Sequence, residues 1–293
     1  MRHDPHILSK PAGSSELVLH PDRPLLLVVE GIDLSGRTTQ VKLLHDWLLA
    51  QHYAVTTTAW RTSPLVSDLL SRARSSRSHL QPMAYSLLFC ADHLDRTQHV
   101  IKPALARREI VLADRYSYTA FARDAARGVD PAWIRDVYSF VVEPDRVFYL
   151  HISPEEAVKR RMALLRKQKE TQISHSSKSP KHGSHDDLSK VEEEKKRVKK
   201  SEKDAKPSKK QAHSEPAHKS ALPDIRTEKA LVAPISQETL ESFRSFEDRM
   251  YIEYQRMQKE FGFTVIEGNQ SIETIQNQLR RMVMRLLLDL DGD

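Results

Sequence analysis

The residues with the plainest chemical purpose form one short run, Gly31-Ile32-Asp33-Leu34-Ser35-Gly36-Arg37-Thr38-Thr39. Gly31 and Gly36 let the backbone curl so that successive N–H groups point inward at phosphate oxygens. A helix opening just after them adds its positive end, and the Thr38 hydroxyl can ligate Mg²⁺. The spacing is that of a phosphate-binding P-loop with Arg37 in the position of the lysine. Arginine keeps the charge but replaces a compact ammonium with a planar fork, so the exchange is not neutral. A second charged group, Asp114-Arg115-Tyr116, ends an apolar run. Asp114 can hold a Mg²⁺-bound water, and Arg115 can grip a phosphoryl group with two parallel N–H bonds.

Both groups need a scaffold that brings strand ends together. Pro24 to Glu30 is a continuous apolar run bounded by proline and glycine, the pattern of a strand buried on both faces of a parallel sheet. Val41, Leu44, Trp47 and Leu48 then recur at helical spacing. Short apolar runs follow at Ala54–Ala59, Glu109–Ala113, Arg146–His151 and Phe263–Ile266. Helical stretches separate them, among them Pro82–Ala106, Pro131–Phe140 and Ser236–Phe261, and Ser271 opens a last amphipathic helix through Leu290. Strands alternating with helices predict right-handed βαβ units: an α/β three-layer sandwich of the P-loop NTPase type, with about five parallel strands and helices on both faces. Ligands of such sheets bind outside the carboxyl ends of the strands, where both charged groups emerge.

Composition bounds the rest. With 293 residues, 39% of them hydrophobic, the chain can bury a sizeable core. The formal charge of +6 is local: Arg166 to Lys229 holds 18 Lys and Arg against 11 Asp and Glu, leaving 28 against 29 elsewhere. No aromatic residue occurs between Tyr149 and Phe243, so 168–229 is expected to be a disordered, charged insertion. Residues 1–23 read as a flexible tail. The core is then 24–167 joined with 230–293. The lone Cys90 fits a reducing compartment, cytoplasmic by default, and reads as core packing. No apolar run approaches membrane-spanning length, and the first residues lack the apolar stretch of a secretory signal. The five histidines of the insertion lack ligand spacing. Its Lys-rich part, 178–210, could attract polyanions weakly, although a solvated linker accounts for it more simply.

These residues carry a resemblance. The opening from Val29 to Gln40, the run Leu87-Leu88-Phe89-Cys90-Ala91-Asp92, the Asp114-Arg115-Tyr116 group, and Phe246-Glu247-Asp248-Arg249 with Tyr254 together resemble the thymidylate kinase family of nucleoside monophosphate kinases. The resemblance implies phosphorylation of a nucleoside monophosphate, dTMP to dTDP, from ATP with Mg²⁺. It implies that residues 31–39 hold the ATP phosphates, that Thr38 and Asp114 serve the metal, and that Phe89 stacks on a pyrimidine. Asp33, Arg61, His93, Arg96, Arg115 and Arg123 are the further acceptor-side candidates, and a homodimer is left open.

Several positions depart from the family's pattern. His93 stands where a base-reading arginine is usual, with Arg96 one turn on. Arg123-Asp124 replaces Tyr-Gln, and Trp60-Arg61 with Thr62-Ser63-Pro64 follows the second strand in place of Glu-Pro-Gly-Gly. Leu34 holds the P-loop position at which some members carry a catalytic arginine. The extra cation is therefore expected from the lid helix, Glu155–Arg166, whose candidates include Arg160 and Arg161. Two other readings stand beside this one: a catalytically weak nucleotide-binding module whose basic insertion engages a polyanion or partner, and a kinase for a different small acceptor.

Overall fold

A computed structural model describes residues 18–70, 80–176 and 237–288. The chain divides into two compact units, one from residues 1–165 with 222–293 and one from 166–221. Of the second, only the end of one helix falls among the described residues.

The first unit is built on strands β1 (Leu25–Glu30), β2 (Val55–Ala59), β3 (Ile110–Asp114), β4 (Arg146–His151) and β5 (Thr264–Glu267). They lie in the order β2-β3-β1-β4-β5, and every pairing is parallel. All six residues of β1 are buried, as a central strand covered on both faces requires. Its register sets Val29 opposite Asp114, so the carboxyl ends of β1 and β3 finish side by side. That alignment delivers the P-loop and the Asp114-Arg115 pair to one place.

The helices are α1 (Arg37–Ala50), α2 (Pro82–Arg96), α3 (Lys102–Ala106), α4 (Ser117–Ala125), α5 (Pro131–Val137), α6 (Pro154–Ser176), α7 (Gln237–Phe261) and α8 (Ile272–Leu287). On one face of the sheet, Val41, Leu44 and Leu48 of α1 pack with Ile275, Leu279, Val283 and Leu286 of α8. On the other, Tyr116 and Tyr118 meet Met250, Tyr254 and Met257 of α7 over Tyr149. Truncating one such side chain, as in Leu279→Ala, costs about 2–5 kcal/mol. A smaller cluster of Cys90, Ala120, Val129, Ile134 and Tyr138 joins α2, α4 and α5. Cys90 is thus a core residue, its thiol pushed up to about 11 by burial.

The structure amends four expectations. Residues 18–23 are not tail: Leu19 bridges to Tyr53, and Arg23 pairs with Asp145. The helix expected over Pro82–Ala106 changes its hydrogen-bond register in a π-helical turn at Thr97–Ile101. The helix that opens the lid runs on to Ser176, past the change of composition at Gln168, because Lys, Glu and Gln are good helix formers. Finally, α8 ends at Leu287; at its start the Ser271 hydroxyl accepts from the Thr274 N–H at 3.1 Å.

Candidate functional site

The loop between β1 and α1 is shaped by left-handed backbone. Gly31 has φ 151° and Gly36 φ 98°. A Cβ on Gly31 would lie 2.7 Å from both the Leu150 carbonyl and Ser35 Oγ, so only glycine fits there, whereas Gly36 is open and needs only the conformation. Leu34, Arg61 and Arg115 also sit at positive φ, 64–71°, a strained geometry that clusters at functional sites. Ile32 is buried in the core, so it can offer a ligand only its backbone.

Arg37 is buried and turned back on its own loop. One terminal nitrogen donates to the carbonyls of Gly31 and, at 2.7 Å, Ile32. Its Nε lies 3.5 Å from Asp114 Oδ1, and Asp33 is 3.8 Å away. Beside it the Thr38 hydroxyl donates to Asp114 Oδ2 at 2.6 Å. The other oxygen, Asp114 Oδ1, is buried and has no hydrogen-bond partner among the described residues. A hydroxyl and a carboxylate with an unsatisfied lone pair are hard oxygen donors suited to Mg²⁺. Among the described residues no group of three acidic, histidine or cysteine ligands gathers.

Across the cleft, Arg115 pairs with Asp33 and donates to Thr119 Oγ1 at 3.4 Å. Desolvation works against the guanidinium, but Asp33 and the neighbouring Tyr254, Asp114 and Glu30 push its pKa above the ordinary arginine value. Two acidic residues absent from the sequence-based candidates organise this corner. Glu30, fully buried, accepts from the Tyr116 N–H (2.8 Å), the Thr119 hydroxyl (2.6 Å) and the Tyr254 hydroxyl (2.7 Å). Burial raises its pKa. Glu247 of α7 accepts from the Asp33 N–H at 3.1 Å, and burial followed by the Asp33 charge pushes its carboxyl up to about 8. A glutamate ending an apolar strand was the signal for Glu30. Glu247 lay within the Phe246-Glu247-Asp248-Arg249 run, but its spacing gave no sign of the contact with Asp33.

The lid contributes one of its two named arginines. Arg160 donates to the Leu34 carbonyl at 3.1 Å and the Gly268 carbonyl at 2.7 Å, steadied by Glu156. Arg161 instead lies over the Phe243 ring, 5.6 Å from its centre. Arg160 is thus the lid cation at the P-loop.

Phe89, His93 and Arg96 share one face of α2 and are all buried. Phe89 is flanked by Trp60 and Tyr85, and the Arg123 guanidinium lies 3.9 Å from its ring centre. Arg123 also pairs with Asp124, which accepts from the Ser86 hydroxyl at 2.5 Å. Arg96 is committed elsewhere: Nε donates to Asp92 at 3.0 Å and Nη1 to Thr58 at 2.9 Å. Asp92 in turn accepts from the Arg61 and Ser63 N–H groups, both at 3.0 Å, and so fixes the loop after β2.

A family model for thymidylate kinase matches residues 29–215. The chain belongs to the thymidylate kinase family. The protein from Saccharolobus solfataricus named probable thymidylate kinase 2 is 38% identical over 138 residues, which are 47% of this chain and 64% of the relative. The probable thymidylate kinase of Thermococcus onnurineus is 34% identical over 144 residues, 46% of this chain and 70% of that one. That of Pyrococcus horikoshii is 36% identical over 143 residues, with 47% and 70% covered. The chain thus spans just under two thirds of the Saccharolobus relative's length. The thymidylate kinase match embraces the P-loop, the Asp114-Arg115 corner and α2, and it extends beyond Ser176 into residues 177–215, outside those described. Among the described residues no helix is long and apolar enough to cross a membrane.

Proposed function

We propose that the protein transfers the terminal phosphoryl group of ATP to a nucleoside monophosphate, with dTMP as the preferred acceptor and Mg²⁺ as the cofactor. The observation that carries this reading is the convergence of Thr38, Asp114, Asp33 and Arg115 at the adjoining ends of β1 and β3. A phosphate-binding loop there faces Arg115, which is paired with Asp33.

Each side chain has a part that its surroundings support. The loop N–H groups and the α1 N-terminus receive the ATP phosphates. Thr38 and Asp114 hold the metal, which when bound neutralises part of the phosphate charge. Arg37 exchanges the carbonyls of Gly31 and Ile32 for phosphate oxygens. Arg115, released from Asp33, takes the acceptor phosphate with two N–H bonds, which phosphate geometry favours. Arg61, on the loop steadied by Asp92, approaches the same phosphate. Arg160 swings from the Leu34 and Gly268 carbonyls to the moving phosphoryl group. The transition state spreads negative charge over three oxygens, so catalysis here is positioning and cationic stabilisation. Phe89 stacks against the base, which meets the Arg123 guanidinium on that ring.

One observation favours the weaker reading, a nucleotide-binding module with slow turnover: one terminal nitrogen of Arg37 is turned onto its own loop carbonyls. Polyanion binding through 178–210 belongs to that reading, and those residues lie outside the described ones. A coupled ADP-release assay against deoxy- and ribonucleoside monophosphates separates the two. Mg²⁺-dependent release stimulated by dTMP supports the kinase; ATP binding without acceptor-stimulated release overturns it.

A further inference from the structure

Asp33 is one of several groups that hold Arg115. The arginine backbone stands at φ 71°, a conformation that persists only where the surroundings impose it. Two consecutive residues of β1 impose it here. The Arg115 N–H donates to the Val29 carbonyl at 3.1 Å, and the next N–H, that of Tyr116, donates to Glu30 Oε1 at 2.8 Å. At the far end of the side chain Nη2 pairs with Asp33, while Nη1 donates to Thr119 Oγ1 at 3.4 Å.

Thr119 is the third residue of α4, and Glu30 caps the helix at that point. Tyr116, which precedes α4, gives its hydroxyl to the Val142 carbonyl at 2.8 Å and caps nothing. Glu30 Oε1 also accepts the Thr119 N–H at 3.1 Å, and a carboxylate at a helix N-terminus meets the positive end of the dipole. Oε2 accepts the hydroxyls of Thr119 (2.6 Å) and Tyr254 (2.7 Å). Two donors thus converge on each oxygen, which fills the acceptor capacity of an ionised carboxylate. Burial raises the Glu30 pKa, and Thr119, the Arg37 charge, Tyr254 and Tyr116 all work against that rise. With the Thr119 proton turned to Glu30, the lone pairs of Oγ1 are left for Arg115, whose N–H groups can only donate.

We propose that Thr119 is a positioning residue that holds one arm of the Arg115 fork, and that Glu30 sets the direction of the Thr119 hydroxyl. This deepens the kinase reading above and rests on it. An acceptor phosphate that takes Nη2 from Asp33 leaves Nη1 on Thr119. Each terminal nitrogen carries two N–H groups, so Nη1 can keep Oγ1 with one and offer the other to the phosphate. The fork meets the phosphate already oriented, and less side-chain freedom is lost on binding.

Calorimetric titration of the full-length protein with dTMP in the absence of ATP, beside steady-state kinetics, tests this. Thr119→Val keeps the shape and removes the hydroxyl. Its Kd for dTMP should rise about tenfold and its kcat/KM for dTMP should fall alike, with KM for ATP staying within about twofold of native. Thr119→Ser should restore both. In Glu30→Gln the amide oxygen can still serve the two N–H groups, but the amide nitrogen faces the hydroxyls and turns the Thr119 proton toward Arg115. Its loss should match that of Thr119→Val, and the double variant should lose little more than either. If Glu30→Gln does not fold, the Thr119 variants decide; if Thr119→Val does not, Thr119→Ala makes the same deletion. Unaltered dTMP binding without the Thr119 hydroxyl, equal weakening of ATP and dTMP, or losses that multiply in the double variant overturn the inference and leave the kinase reading standing. A native protein that neither binds nor phosphorylates any nucleoside monophosphate removes the kinase reading, and this inference with it.

Discussion

The hydroxyl of Thr38, the second residue of α1, donates to Asp114 Oδ2 at the end of β3, 2.6 Å away. Val29 and Asp114 are register partners in the sheet, so the contact is set by the core and not by the loop alone. The pair leaves Asp114 Oδ1 free of hydrogen bonds, an oxygen that a divalent cation or its water can use.

Removing the Thr38 hydroxyl should therefore weaken the metal site more than the fold. Thr38→Ala is expected to lower kcat by about 10²-fold and raise the Mg²⁺ concentration needed for half-maximal rate. Thr38→Ser should behave nearly as the native protein. Thr38 is exposed, so melting temperatures should stay within a few degrees. A Mg²⁺ titration of turnover checks this, and an Ala variant with an unaltered Mg²⁺ requirement sinks the assignment.

Arg37 should be indispensable and lysine should replace it. Arg37→Ala removes the cation that touches the Gly31 and Ile32 carbonyls. Loss of such a contact typically lowers rate by about 10²–10³. Arg37→Lys restores the usual P-loop residue and should keep most activity. Steady-state kinetics of the two variants decide, and equal losses in both would mean that the fork geometry, not the charge, is what the site uses.

Glu247 should make stability depend on pH. Its folded pKa is raised to about 8 while an unfolded glutamate titrates near 4.5. The folded protein thus keeps a proton that the unfolded chain loses above 4.5. The contribution is fully present below that pH and is lost progressively as pH rises through about 8. The melting temperature of the native protein should fall by a few degrees between about pH 5.5 and 8.5. Glu247→Gln retains an acceptor for the Asp33 N–H and should flatten that fall. Parallel pH slopes in the two proteins would show that Glu247 titrates normally.

Much of this was legible in the chain because the signals are local. The P-loop spacing, the apolar β1 and the Asp114-Arg115 group each lie within a few residues, and their elements formed where expected. What stayed hidden depends on contacts across the chain. Glu247 meets Asp33 across 214 residues. Helix α4 carries Arg123, read from the sequence as an acceptor-side candidate, and Asp124, and the two charges are buried against each other, a pairing that no spacing shows. Residues 18–23 looked like tail because a single bridge to Tyr53 leaves no periodicity to read. Likewise, the face shared by Phe89, His93 and Arg96 followed from helical spacing. That Asp92 and Thr58 occupy Arg96 could not be read from that spacing.

The central claim is that the phosphoryl group leaving ATP arrives on a nucleoside monophosphate. A single-turnover experiment with γ-³²P-labelled ATP, Mg²⁺ and dTMP follows the label directly. The native protein should place it in dTDP, and Arg115→Ala should leave it in ATP. Label released as inorganic phosphate, or retained in ATP by the native protein whichever monophosphate is offered, would contradict the account.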